Sequence, residues 1–351
     1  MIALNEFSNS PALRLKRLCP GRRKGFSDGL GTKVPAARRL AALAALATLA
    51  VLATGCANTG ERSGPAAVGS GELDVVTTTN FITDTVSQIG GDRVSVKALM
   101  GPGVDPHLYK ASAGDVSALR DAEIIFYGGL FLEAKMEEVF REIGESRPVY
   151  AVTESMPRER LLAAPVDATA EEEYDPHVWF DPTLWRYAAL TVRDRLTAVD
   201  PDGAATYSRN TLEFLADLER LDRESKRKLA GVPEGRRVLV TSHDAFRYLG
   251  RRYDVEVAAI QGLSTAAEAT TEDIERIAAL IAERGVKAVF IESSVPRQTV
   301  EAVLASARDR GQDSVVGGEL YSDAAGEAGT PEGTYQGMFE SNVDKLAEGL
   351  R

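Results

Sequence analysis

The chain has 351 residues, of which 44% are hydrophobic, with a formal charge of −11, three histidines and two cysteines. Such an acidic balance argues against nucleic acid and anionic membrane surfaces as partners and is compatible with attracting cations. Only one cysteine survives the processing read below, which excludes a disulfide in the mature monomer.

In chain order, Arg38 and Arg39 precede LAALAALATLAVL (Leu40–Leu52), an uncharged apolar run with the length of a secretory signal core and too short to span a bilayer comfortably. The run closes on ATGC (Ala53–Cys56), which resembles the lipobox of bacterial lipoproteins, with Ala53 where that pattern usually has Leu. Residues 1–55 are therefore expected to be leader and signal peptide, within which 1–37 form a long basic stretch whose true start lies downstream, near Val34. Removing 1–55 takes away Cys19, nine Lys/Arg and two Asp/Glu, and leaves 296 residues with a charge of −18. Cys56 would then carry the lipid that anchors the protein outside the cytoplasm at the cell membrane. Residues 56–71 include NTGERSGPAAVGSG (Asn58–Gly71), a polar Gly/Ser/Pro-rich stretch that reads as a flexible tether.

From Leu73 short β-branched runs alternate with amphipathic stretches. LDVVTTT, RVSVKALM, EIIFYGG and RPVYAV predict four strands, and FLEAKMEEVFREIG (Phe131–Gly144) has helical spacing. RRVLVTS, VEVAAI, KAVFIESS and SVVGGEL predict a second set of four, and TEDIERIAALIAERG (Thr271–Gly285) begins with a Thr cap candidate and ends on Gly. The reading is an α/β fold: two βα lobes with mostly parallel sheets, residues 72–200 and 233–351, with a site in the cleft between them. Residues 201–232 join them. From about Ala204 to Ala230 there is no proline and no internal glycine, and Tyr207, Phe214, Leu218 and Leu221 share one face, which predicts a rigid helix on the order of 40 Å long.

The three histidines are His107, in GVDPHLY, His177, in YDPHVWFDP, and His243, in VLVTSHD. Two follow predicted strands, where open α/β sheets bind ligands, and Pro106 and Pro176 hold the preceding Asp extended and set the path of each loop. Neutral imidazoles suit zinc, copper, iron, nickel and, with carboxylates, manganese. The best fourth ligand is Asp323, directly after the last predicted strand; Glu292, at the end of the preceding one, either competes with it or caps the strand end or braces the lobes. Trp179 and Phe180 read as core. Each ligand imidazole must be neutral, so protons should compete with the metal as pH falls through about 6.5.

Six collinear stretches, DPHLY, DPHVWFDP, TSHDAFRYLG, QGLSTAAEAT, FIESSVP and GGELYSDAAGEAGTPEGTYQGM, resemble the zinc- and manganese-binding lipoproteins of bacterial ABC importers, especially the TroA-like branch. The resemblance covers nearly all of Leu73–Leu350 and implies metal ligands at His107, His177, His243 and Asp323, two per lobe. It also implies that the cargo, Zn2+ or Mn2+, passes to an ABC permease in the membrane. Manganese-specific relatives often carry Glu at the position of His243, and many zinc-specific ones a His-rich loop. This chain has the His and an acidic loop, DATAEEEYDPH (Asp167–His177), so the metal is zinc, manganese or both.

The expected function is thus a monomeric extracytoplasmic substrate-binding lipoprotein, not an enzyme. A zinc-dependent hydrolase would need a general base and an open coordination position, and no HExxH arrangement is present. A surface adhesin would be supported by an apolar or aromatic stripe, and the sequence shows none.

Overall fold

The computed structural model describes residues 72–166 and 168–351. Cys56, Cys19, the apolar run and the tether lie outside them, as does Asp167. All eight strand segments read from the sequence are strands. β1 (Leu73–Thr77), β2 (Val94–Ala98), β3 (Ile124–Tyr127) and β4 (Val149–Ala151) form one parallel sheet in the order β2-β1-β3-β4. In the second lobe, β5 (Val238–Thr241) pairs with β6 (Glu256–Ala259) and β7 (Ala288–Glu292) with β8 (Val315–Leu320), all parallel, with β5 alongside β7.

The inner strands β1, β3, β5 and β7 are covered on both faces, which is why they read as nearly continuous apolar runs. Successive side chains point to opposite faces, so Val76 and Ile125 face outward onto α2 (Ala113–Asp121) and α3 (Glu137–Gly144), while Val75 and Phe126 face inward. In the second lobe Val240 and Val289 pack on α7 (Thr271–Arg284) and α8 (Gln298–Asp309), while Leu239 and Phe290 face inward. The inward faces meet one shared core that runs without a break from Leu73 to Leu350.

That core is built on α1 (Asn80–Gly90), α4 (Pro182–Val199), α5 (Ala204–Ala230), the short α6 (Arg247–Tyr253) and α9 (Tyr335–Gly349). Along α5, Tyr207, Thr211, Phe214, Leu218, Leu221, Ser225 and Leu229 recur at three- and four-residue steps and bury one stripe against α1 and α4 of the first lobe and α9 of the second. Trp185 of α4 stacks on Tyr335 of α9 and donates its indole N–H to Thr85 of α1. One helix stripe therefore holds both lobes.

Two element ends differ from the sequence reading. The segment expected to be helical from Phe131 becomes an α-helix only at Glu137, because Gly129, Leu130 and Phe131 all have positive φ. The buried Glu133 carboxylate holds that turn by accepting from Thr78 Oγ1 and the amides of Gly128 and Gly129. The cap of α7 is Thr270, one residue earlier than expected, in a capping box with Asp273, and Gly285 ends the helix in the left-handed region.

Two positions on α5, two residues apart, should respond very differently to truncation. Phe214 is 2% exposed and Leu212 is 69% exposed. Phe214→Ala should lose about 3–5 kcal/mol through the cavity it leaves, whereas Leu212→Ala should stay within about 0.5 kcal/mol of the parent. Urea unfolding checks both, and similar losses would contradict the assignment of the shared stripe.

Candidate metal centre

The two Asp-Pro-His triplets build the same local turn. In each, the Asp carboxylate reaches past the proline, which has no N–H to offer, and accepts the amide of the histidine: Asp105 Oδ1 from His107 N at 2.9 Å and Asp175 Oδ1 from His177 N at 3.0 Å. The repeated triplet is therefore a device for pointing an imidazole inward. His107 sits in the loop after β2, and His177 immediately precedes a single turn, Val178–Phe180, ahead of α4. His243 follows β5 and Asp323 follows β8, both at carboxyl ends of strands.

These four side chains come together although they are far apart in sequence. One ligand atom from each lies within 4.8 Å of all the others, and no residue of the four is more than 3% exposed. The Nε2 atoms of His107 and His243 each stand 3.3 Å from Nε2 of His177. Asp323 places Oδ1 3.5 Å from His177 Nε2 and Oδ2 3.2 Å from His243 Nε2. A tetrahedral ion with metal–nitrogen bonds of about 2.0–2.1 Å has edges of roughly 3.3–3.4 Å, which the two nitrogen spacings to His177 match. Asp323 Oδ1 is buried without a hydrogen-bond donor, as a carboxylate oxygen facing a cation would be.

Glu292 stands behind His243 rather than among the four. Its Oε1 accepts the amide of His243 at 2.9 Å and its Oε2 faces Nδ1 at 2.5 Å. Asp175 serves His177 in the same way, with Oδ1 2.8 Å from Nδ1, and Arg247 Nη1 lies 3.4 Å from the other Asp175 oxygen. Both carboxylates keep the proton on Nδ1 and leave the Nε2 lone pair facing the cluster. The sequence left Glu292 open between a ligand and a strand-end cap or brace of the lobes, and Asp105 and Asp175 were legible only through their prolines; the brace of His243 was not among these readings. The signal available was the two-residue Asp-to-His spacing, which an Asx turn requires. Trp179, read as core, is core and also lies edge-on to His177, with ring centroids 5.2 Å apart.

Burial and carboxylates oppose one another in setting the proton affinities. Burial lowers His177, but the hydrogen bond to Asp175 and the negative charge of Asp175 and Asp323 reverse this and raise it from 6.5 to about 9. His243 is likewise lowered by burial and then lifted well above 6.5 by Asp323 and Glu292. For His107 burial wins, and the value falls to about 3. Burial raises Asp323, but His243, His177 and His107 hold it well below the usual carboxylate range. Proton competition for His177 and His243 thus sits higher in pH than the ordinary histidine value suggests, because each ring has a carboxylate at both nitrogens.

Comparison with known proteins covers the stretch of chain that carries this cluster. Residues 75–349 match the family described as ZnuA, zinc-uptake complex component A, periplasmic. The manganese-binding lipoprotein MntA of Bacillus subtilis is 44% identical over 280 residues, covering 80% of this chain and 90% of that protein. The structure of the periplasmic zinc-binding protein TroA from Treponema pallidum superposes with a TM-score of 0.77 at 46% identity, covering 80% of this chain and 99% of that one. A family match spanning both lobes, together with this sequence identity, establishes that the chain belongs to the ZnuA family of periplasmic metal-uptake components.

Proposed function

We propose that this protein captures one divalent transition metal ion, zinc or manganese, between its lobes and delivers it to the permease of an ABC importer. His107, His177, His243 and Asp323 are the ligands in this reading, and Cys56 carries the lipid anchor of a monomer tethered outside the cytoplasm. The observation that carries it is the convergence of three imidazole nitrogens and one orphaned carboxylate oxygen in a buried cluster drawn from both lobes. The ion is cargo. Asp175 and Glu292 orient the imidazoles, and the protein makes and breaks no covalent bond.

The cargo reading also fits the relatives, of which one is named for manganese and another for zinc. Three imidazoles and a carboxylate follow the Irving–Williams order, so zinc should displace manganese in vitro whichever ion is imported. Competition calorimetry in which manganese bound more tightly than zinc would overturn that expectation.

Removing a ligand should cost more than removing a brace. Asp323→Ala should abolish tight zinc binding, while Glu292→Ala should weaken it about 10- to 100-fold by releasing the orientation of His243. Isothermal titration with a chelator competitor checks the order, and a larger loss for Glu292→Ala would exchange the two roles.

The pH dependence follows from the raised histidines. In the metal-free fold, the value for His177 of about 9 exceeds the ordinary 6.5, so its protonation contributes stability fully below pH 6.5 and loses that contribution as pH rises through 9. His243 acts in the same direction. Zinc requires both neutral, so its apparent affinity should fall as pH drops below about 9, with a slope approaching two protons per ion. Thermal scans with EDTA and with zinc from pH 6 to 9 should show a metal-induced rise in Tm that grows with pH. A rise that is constant across this window would contradict the assignment.

A further inference from the structure

We propose that Asn80 is a positioning residue that holds the Asp323 loop from the opposite lobe and slows release of the ion. The inference rests on the reading of Asp323 as a ligand. It starts from a requirement of the backbone: Ser322, Asp323, Ala324 and Ala325 are at most 2% exposed and belong to no helix or strand, so their amides and carbonyls need partners from elsewhere.

Two asparagine side chains meet that need in the same manner. Asn342 of α9, within the second lobe, accepts Tyr321 N at 2.9 Å and donates to Tyr321 O at 2.7 Å. Asn80, the first residue of α1 in the first lobe, accepts Ala325 N at 2.8 Å and donates to Ala325 O at 2.8 Å. Each amide thus grips one residue of the chain through both its backbone groups, and Asp323 lies midway between the two grips. A third contact, Trp179 Nε1 to Ser322 O at 3.0 Å, also crosses from the first lobe.

The two grips differ in what they depend on. Asn342 moves with the loop it holds, because both belong to the second lobe. Asn80 holds Asp323 only while the lobes are in contact, and Asp323 is also the residue that carries its carboxylate across to His177 of the first lobe. Separation of the lobes therefore frees the ligand loop at the same moment as it withdraws the carboxylate. Retention of the ion and contact of the lobes are coupled through one amide. Thr79, the cap of α1, makes no side-chain cap bond, so the start of this helix is committed to the other lobe rather than to its own orphan amides.

Gln88 provides the control. It lies on the same helix and also crosses between lobes, bonding Gln336 of α9 at 3.0 Å, and its side-chain hydrogen bonds run to Asp84 and Gln336 and not to the Asp323 loop. Zinc release into excess fluorescent chelator, measured by stopped flow alongside the metal-free Tm, separates the cases. Asn80→Ala should accelerate release about 10- to 100-fold, the range for loss of an outer partner of a ligand, and Gln88→Ala should leave it unchanged. Should Asn80→Ala melt below the assay temperature, Asn80→Gln, which keeps the amide one methylene out of register, should show a smaller acceleration. Release from both Asn80 variants at the parent rate while Asp323→Ala loses zinc would overturn the latch alone. Equal acceleration by Gln88→Ala would reduce Asn80 to general lobe packing. Full zinc affinity in Asp323→Ala would instead overturn the ligand reading beneath it.

Discussion

Imidazole nitrogens of His107 and His243, each 3.3 Å from that of His177 in a buried interior beside a carboxylate oxygen with no donor, are a stable arrangement only when positive charge occupies the space they share. In the metal-free protein, protons on His177 and His243 supply that charge, which is why both are raised while Asp323 is depressed. A divalent ion held there, as proposed above, would supply it and expel those protons. The carboxylates of Asp175 and Glu292 make either occupant possible, because each fixes Nδ1 and leaves Nε2 to face inward. Burial of His107 without such a brace keeps it neutral, ready as a lone-pair donor.

The rest of the fold brings these groups to one point and holds them there. Loops after β2, β5 and β8 bring in His107, His243 and Asp323, the turn before α4 brings in His177, and each lobe packs its own helices on its outer face, so the inner faces are left to a common core. That core is apolar and continuous through α1, α4, α5 and α9, unlike the wetter contacts usual between domains that move freely. The stripe along α5 connects the sequence pattern to this result: its apolar spacing is what joins the lobes.

Much of this was legible from sequence because the signals are local. Strands buried on both faces announce themselves as β-branched runs, and the uninterrupted stretch from Ala204 to Ala230 could hardly be anything but a helix. The histidines stood out through two copies of one triplet. The choice between Asp323 and Glu292 was harder, since both end a strand of the same lobe, and it turns on which side of His243 each carboxylate occupies. The left-handed backbone at Leu130 and Phe131 overrode good helical spacing, because the buried carboxylate of Glu133 draws the turn toward β1. Asn80 carried no signal, as its partner lies 245 residues away.

X-ray absorption at the zinc edge of the loaded protein tests the central claim most directly, because it reads the atoms bound to the ion without a variant or a competitor. The account predicts a single zinc with nitrogen and oxygen neighbours at about 2.0–2.1 Å, with outer-sphere scattering from three imidazole rings and none from sulfur or a second metal. A spectrum fitted by fewer than three imidazoles, or by a neighbouring metal, would contradict it.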